Sequence, residues 1–238
     1  MDIVSPTDRP PGAAAARARP SVKICGLSDE AMIDVALSRG ADEIGLVHFE
    51  PSPRHLPVAR IGELSAHVGS RAIVTVVTVN AGDALIDALR EHARLRSIQL
   101  HGSEDAPRIA ALRARTGLSA MKAIAVADRG SLAAIDLYRG VADRILLDAK
   151  APKGSAIPGG NGVSFDWTLL AGARTPSIVL SGGLNAANVG EAIRIARPGG
   201  IDVSSGVETS PGTKSADLIH RFFDAFDRAT LNAGRQAP

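Results

Sequence analysis

The stretch SVKICGLSDEAMIDVALSRGADEIGLVHF, residues 21–49, contains one complete strand–helix–strand unit. Val22 and Ile24 alternate in a short extended run that ends at Cys25 and breaks at Gly26. A helical pattern follows over 28–40, with Ser28 as the expected N-cap and Gly40 as the stop. After a short turn the chain runs apolar again over 43–49. The same theme recurs down the sequence. Strands are predicted at 22–25, 43–49, 72–79, 97–101, 119–125, 144–148, 177–181 and 201–205, with amphipathic stretches such as 81–94, 185–197 and 214–226 between them. Strict βα alternation implies a parallel sheet. Eight units within about 210 residues match the α/β class and a single-domain (β/α)8 barrel, the TIM-barrel architecture. An open doubly wound sheet is the alternative, but CGLSDE after the first strand lacks its G-x-G-x-x-G turn.

Composition narrows the function. The 238-residue chain is 45% hydrophobic but only 3% aromatic, so its core must be built from Ala, Val, Leu and Ile. The net charge of +2 is interleaved along the chain, and with few rings to stack on bases a nucleic-acid partner is not expected. A lone cysteine excludes a disulfide framework or a Cys-cluster zinc site. The histidines have no metal-ligand spacing, so no metal is expected. No apolar run reaches the roughly 18 residues of a membrane span, and a cytoplasmic enzyme with no membrane partner is expected. Residues 1–20, rich in Pro, Ala and Arg, read as a disordered lead. The barrel is assigned to 21–230 and a flexible tail to 231–238.

In such barrels the chemistry gathers where strands end. Cys25, His48 with Phe49, Asn80, His101, Lys122–Ala125, Asp148, Ser181–Gly183 and Asp202–Gly206 stand there. SGGLN and DVSSGVE follow strands 7 and 8, where barrels commonly hold phosphate. Gly182, Gly183, Ser204, Ser205 and Gly206 are therefore the candidate phosphate ligands. Asp148 could cap a helix, pair with Lys150 or act chemically. Arg54, in the Pro-pinned SPRH segment, could meet a ligand carboxylate or be a solvated surface residue. Cys25 taken alone reads first as a small buried hydrophobe. The Gly- and Pro-rich segment after strand 6 has the length of an active-site lid.

KICGL (23–27), SPRH (52–55), VNA (79–81), QLHG (99–102), LLD (146–148), GGNGVSFDW (159–167), SGGLN (181–185) and DVSSGVE (202–208) occur in one order over about residues 21–228. In this the chain closely resembles the phosphoribosylanthranilate isomerase family of tryptophan biosynthesis. The resemblance implies an aldose–ketose isomerase that carries out an Amadori rearrangement without a cofactor. It implies Cys25 as general base and Asp148 as general acid. It also implies Arg54 and Asp202 as substrate ligands, and His101, which faces the rim by strand phase, is a further candidate ligand or a structural residue. A small phosphosugar–anthranilate is then the substrate, and the enzyme a monomer or a homodimer. Another sugar-phosphate barrel and a non-catalytic phosphate-binding barrel are the alternatives. For this chemistry Cys25 needs a lowered pKa or a cationic neighbour, and Asp148 a raised one. Lys23, two residues before Cys25 on the same side of the strand, could supply the field or pair with Asp202 instead. Two departures stand out: Asn161 replaces the usual Thr of GGTG, and Thr78 the usual aromatic of VFVN.

Overall fold

The computed structural model describes residues 19–151, 154, 155, 157, 159, 160, 162, 164–171 and 177–235, with side chains described to residue 231. The expected lead therefore lies outside the described residues up to position 18, as does Asn161.

Eight parallel strands close into a barrel in sequence order. They are β1 Ser21–Cys25, β2 Glu43–His48, β3 Ile73–Thr78, β4 Ser97–Leu100, β5 Ser119–Val126, β6 Arg144–Ala149, β7 Ile178–Leu180 and β8 Gly200–Val203. The helices are α1 Glu30–Ser38, α2 Val58–Val68, α3 Asp83–His92, α4 Ala106–Thr116, α5 Ala134–Tyr138, α6 Val189–Ala196 and α7 Ala216–Arg235. Four differences from the sequence reading stand out. Asp29, not Ser28, caps α1, because its extended backbone lets the carboxylate accept the Met32 N–H at 2.8 Å. Among the described residues the β6–β7 connection carries only a 3₁₀ turn, Trp167–Leu170. A short hairpin, β9 Glu208–Ser210 and β10 Thr213–Lys214, stands between β8 and α7. At the C-terminal end α7 continues to Arg235, into the stretch read as a tail.

The main apolar core lies between the strands and the surrounding helices. Val22, Ile24, Ile44 and Leu46 point outward from β1 and β2 onto Ile33, Ile61 and Leu64. Phe222, Phe223 and Phe226 of α7 seal the seam between first and last units, where β1 pairs with β8. Each such fully buried Ile, Leu or Phe contributes about 1.5–3 kcal/mol relative to exposure. Alternate residues point into the barrel. There Met121, Ala123, Leu146 and Val179 make one apolar cluster, and the level toward the N-terminal ends of the strands is charged. Glu43 accepts Arg144 Nη1 and Nη2 at 2.7 and 2.9 Å and also takes the Thr75 hydroxyl. Among the described residues no helix is long and apolar enough to cross a membrane.

Candidate active site

A cleft opens at the C-terminal ends of the strands. Its floor is Cys25, with Val47 and Val77 beside it and Phe49 packed against them. Asp148, His101 and Gln99 form one wall, and Ser181–Leu184 with Ser204 and Ser205 form another. Arg54 closes the side near Cys25.

Cys25 reaches this floor because it ends β1 in phase with Lys23, as the strand alternation requires. Lys23 Nζ donates to Asp202 Oδ1 at 2.9 Å, and the pair is almost fully buried. Register makes the contact inevitable, since Lys23 and Asp202 are partners across the β1–β8 seam. Both readings of Lys23 therefore hold at once: it is paired with Asp202, and its charge acts on Cys25. Burial works against the ammonium, but Asp202, with Cys25 and Glu43, holds its pKa above the ordinary lysine value. The thiol behaves otherwise than expected. Burial pushes Cys25 up, and the charges of Lys23 and Lys214 only partly oppose it. The surroundings of the resting site thus favour the protonated form of Cys25.

Gly26 has φ +76°, and a Cβ on it would lie 2.4 Å from Cδ of Arg54. The glycine of KICG thus lets Arg54 lie across the end of β1. Arg54 is no solvated surface residue. It is 6% exposed, and its Nε and Nη2 each donate at 2.8 Å to Glu208.

Asp148 ends β6 and is 5% exposed. Its Oδ1 accepts the Ala149 N–H at 2.9 Å, and its Oδ2 lies 3.5 Å from His101 Nε2. Gln99, two residues earlier on the same face of β4, places Nε2 3.0 Å from His101 Nδ1. If the Gln99 amide donates there, Nε2–H of the imidazole faces Asp148. The turn that carries His101 is pinned by buried Lys122, whose Nζ donates to Gly102 O at 2.6 Å and to Glu104 Oε2 at 2.9 Å. Above the pair lies Gly159, where a Cβ would fall 2.4 Å from Asp148 Oδ2. Only a glycine can approach the acid so closely.

The candidate glycines and serines are not all placed alike. Gly182, Gly183, Ser204 and Ser205 line the cleft, whereas Gly206 does not. Gly206 packs on the β7–α6 loop, where a Cβ would lie 1.8 Å from Leu184 O. Asp202 lines the cleft, but its carboxylate already accepts Lys23 and, at 3.1 Å, the Ser181 hydroxyl. Among the described residues no His, Cys, Asp and Glu converge as metal ligands do. Three residues that the sequence reading passed over belong to the site: Gln99, Glu208 and Lys214. Glu208 is the last letter of DVSSGVE, so its motif was in view, but no local signal ties it to Arg54, 154 positions away.

Such a barrel is an acid–base enzyme of the (β/α)8 type, with a thiol and a carboxyl in one cleft and small donors on the loops after β7 and β8. Comparison with known proteins makes this specific. The model of the family described as PRAI, N-(5'phosphoribosyl)anthranilate (PRA) isomerase, matches residues 22–225. The N-(5'-phosphoribosyl)anthranilate isomerase of Mesorhizobium japonicum is 47% identical over 205 residues, 86% of this chain and 94% of the relative. That of Afipia carboxidovorans is 50% identical over 206 residues, covering 86% and 88%. The crystal structure of phosphoribosyl anthranilate isomerase from Thermotoga maritima superposes with a TM-score of 0.78 at 31% identity, covering 88% of this chain and 99% of that one. The chain belongs to the N-(5'-phosphoribosyl)anthranilate isomerase family.

Proposed function

We infer that this chain isomerises N-(5'-phosphoribosyl)anthranilate to 1-(2-carboxyphenylamino)-1-deoxyribulose 5-phosphate, a step of tryptophan biosynthesis, with Asp148 as acid and Cys25 as base. The observation that carries the assignment of roles is the presence of both groups in one cleft whose far ends suit two different anions. A solved relative, 30% identical with a TM-score of 0.76, is described in complex with the reduced form of that product.

Asp148 protonates the furanose ring oxygen, the C1'–O bond breaks, and the anthranilate nitrogen becomes an iminium. The positive charge next to C2' acidifies its proton and stabilises the thiolate of Cys25, whose pKa burial raises in the resting site. Cys25, as the thiolate whose own proton has already gone to solvent, takes the C2' proton. The resulting enolamine tautomerises to the ketone, so hydrogen moves within the substrate and no external oxidant or reductant is consumed. Arg54 holds the anthranilate carboxylate, and Ser204, Ser205, Gly182 and Gly183 hold the phosphate. Asp202 keeps Lys23 in place while it faces the sugar hydroxyls. We take the enzyme to be cytoplasmic, and monomeric or, like a solved relative described as dimeric, a homodimer.

The test follows the fluorescence of phosphoribosylanthranilate. The wild-type protein should consume it, and Cys25→Ser and Asp148→Asn should each lose most of that rate while staying folded. Absence of consumption by the folded wild type would overturn the reading.

A further inference from the structure

Glu208 stands at the centre of a buried cluster that the reaction scheme above leaves unused. Its Oε1 accepts Arg54 Nε at 2.8 Å and Lys214 Nζ at 2.6 Å, and its Oε2 accepts Arg54 Nη2 at 2.8 Å and the Gly212 N–H at 3.3 Å. The β9–β10 hairpin builds this arrangement, because its register sets Lys214 opposite Glu208. The turn of the hairpin rests on the Arg54 loop, where a Cβ on Gly212 would lie 2.6 Å from Pro53 O. All three side chains are 5% exposed or less.

Two features lead from this cluster to the ligand. Lys214 Nζ also donates to the Ser204 carbonyl at 3.0 Å and lies 3.3 Å from its hydroxyl, so the same ammonium holds Glu208 and the phosphate loop. Arg54 spends Nε and Nη2 on Glu208, with a longer contact from Nη2 to Gly160 O at 3.3 Å. Among the described residues Nη1 has no hydrogen-bond partner, and it lies on the side of the cleft. One carboxylate shared by two cations also leaves one positive charge uncompensated in a nearly buried place, which an anionic ligand would satisfy.

We propose that Glu208 is a positioning residue that couples the two anion-holding ends of the cleft, aiming Arg54 Nη1 at the substrate carboxylate while fixing the Ser204 phosphate loop through Lys214. The proposal rests on the placement of carboxylate and phosphate given above. Neither Glu208 nor Lys214 meets the reacting atoms, so their loss acts on binding more than on the chemical step.

Competitive inhibition by inorganic phosphate and by anthranilate reads the two ends separately. In Glu208→Gln both inhibitors should weaken about tenfold, the scale of one lost hydrogen bond to a charged group. The KM for phosphoribosylanthranilate should rise by a similar factor, with kcat changed far less. Lys214→Met leaves the Arg54–Glu208 pair intact, so it should weaken phosphate alone. The double variant should lose no more phosphate affinity than the worse single one, because both act through one chain of contacts. Glu208→Gln that weakens anthranilate but leaves phosphate unchanged overturns the coupling. So does a folded Lys214→Met with normal phosphate inhibition, which decides the matter even where Glu208→Gln does not fold. Phosphate and anthranilate binding followed by calorimetry separates this outcome from failure of the functional reading, which shows as a wild type without turnover.

Discussion

Nε2 of His101 stands 3.5 Å from Oδ2 of Asp148, and Gly159 backbone closes over both. The imidazole is thus the nearest cation-forming group to the proposed acid, oriented from behind by Gln99. Asp148→Asn preserves shape and removes the transferable proton, so kcat should fall about 10²–10⁴-fold, the range for loss of a positioned acid. His101→Asn and Gln99→Leu should cost less, with kcat lowered and the melting temperature kept. Steady-state kinetics decide the order. A Gln99→Leu loss equal to that of Asp148→Asn would show that the amide meets substrate itself.

Cys25 yields a pH test. Burial raises its pKa, so the thiolate fraction keeps growing beyond about pH 8.5, the ordinary thiol value. The kcat/KM of the wild type should therefore still climb between pH 8 and 9.5, and alkylation by a thiol reagent should accelerate over the same interval. The stability contribution has the opposite sense. The buried thiol favours the protonated form, so its stabilisation is complete below the ordinary value and is lost as pH rises through the raised one. Cys25→Ser should lose kcat by about 10²-fold or more and drop the alkaline rise. A profile level from pH 7 to 9.5 contradicts this account of the base.

The Lys23–Asp202 pair predicts a stability effect at a residue that also faces the cleft. Asp202→Asn leaves a buried ammonium without its countercharge and should destabilise the fold by about 3–5 kcal/mol. Replacing both, with Lys23→Met and Asp202→Leu, should restore much of the melting temperature but not the activity. Denaturant unfolding of the single and double variants measures the difference. A double variant as unstable as Asp202→Asn would mean that the pair is not the source of the loss.

Phosphate should bind at the ends of β7 and β8. Inorganic phosphate at millimolar levels should raise the melting temperature and inhibit competitively. Ser205→Ala should raise KM about tenfold through one lost hydrogen bond to a charged group. Gly183→Ala is a harsher change, because φ is +62° there and a side chain strains the loop itself. Unaltered melting in phosphate would speak against this end of the site.

The barrel was legible because its signal is periodic. Val22 and Ile24 alternate with Lys23 and Cys25, and that alternation alone assigns one pair to the outer core and the other to the interior. Cys25, Asp148 and the serines after β8 could be found because strand ends are where the sequence turns polar. What escaped depends on three-dimensional register. Glu208 meets Lys214 only because a two-residue strand, too short to show a period, folds back on it. Gly206 looked like its neighbours in DVSSGVE, yet it supports the loop from behind, a difference of direction that composition does not carry. The raised thiol was likewise hidden, since Lys23 predicts the attraction but only the closed barrel supplies the burial that outweighs it.

Among the described residues of the β6–β7 connection, Gly159 and Gly160 bring bare backbone against Asp148 and Arg54, and Ile157 also lines the cleft. At those two glycines the connection offers a guest no side-chain shape to be matched. Apolar shape beside Cys25 comes instead from Val47, Phe49 and Val77, anchored on or beside strands whose outward neighbours hold the core. A descendant of this chain that reshapes this apolar part of the cleft meets a constraint. It would have to recarve a wall of the barrel, where every altered methyl group is also felt by the packing that keeps the fold together.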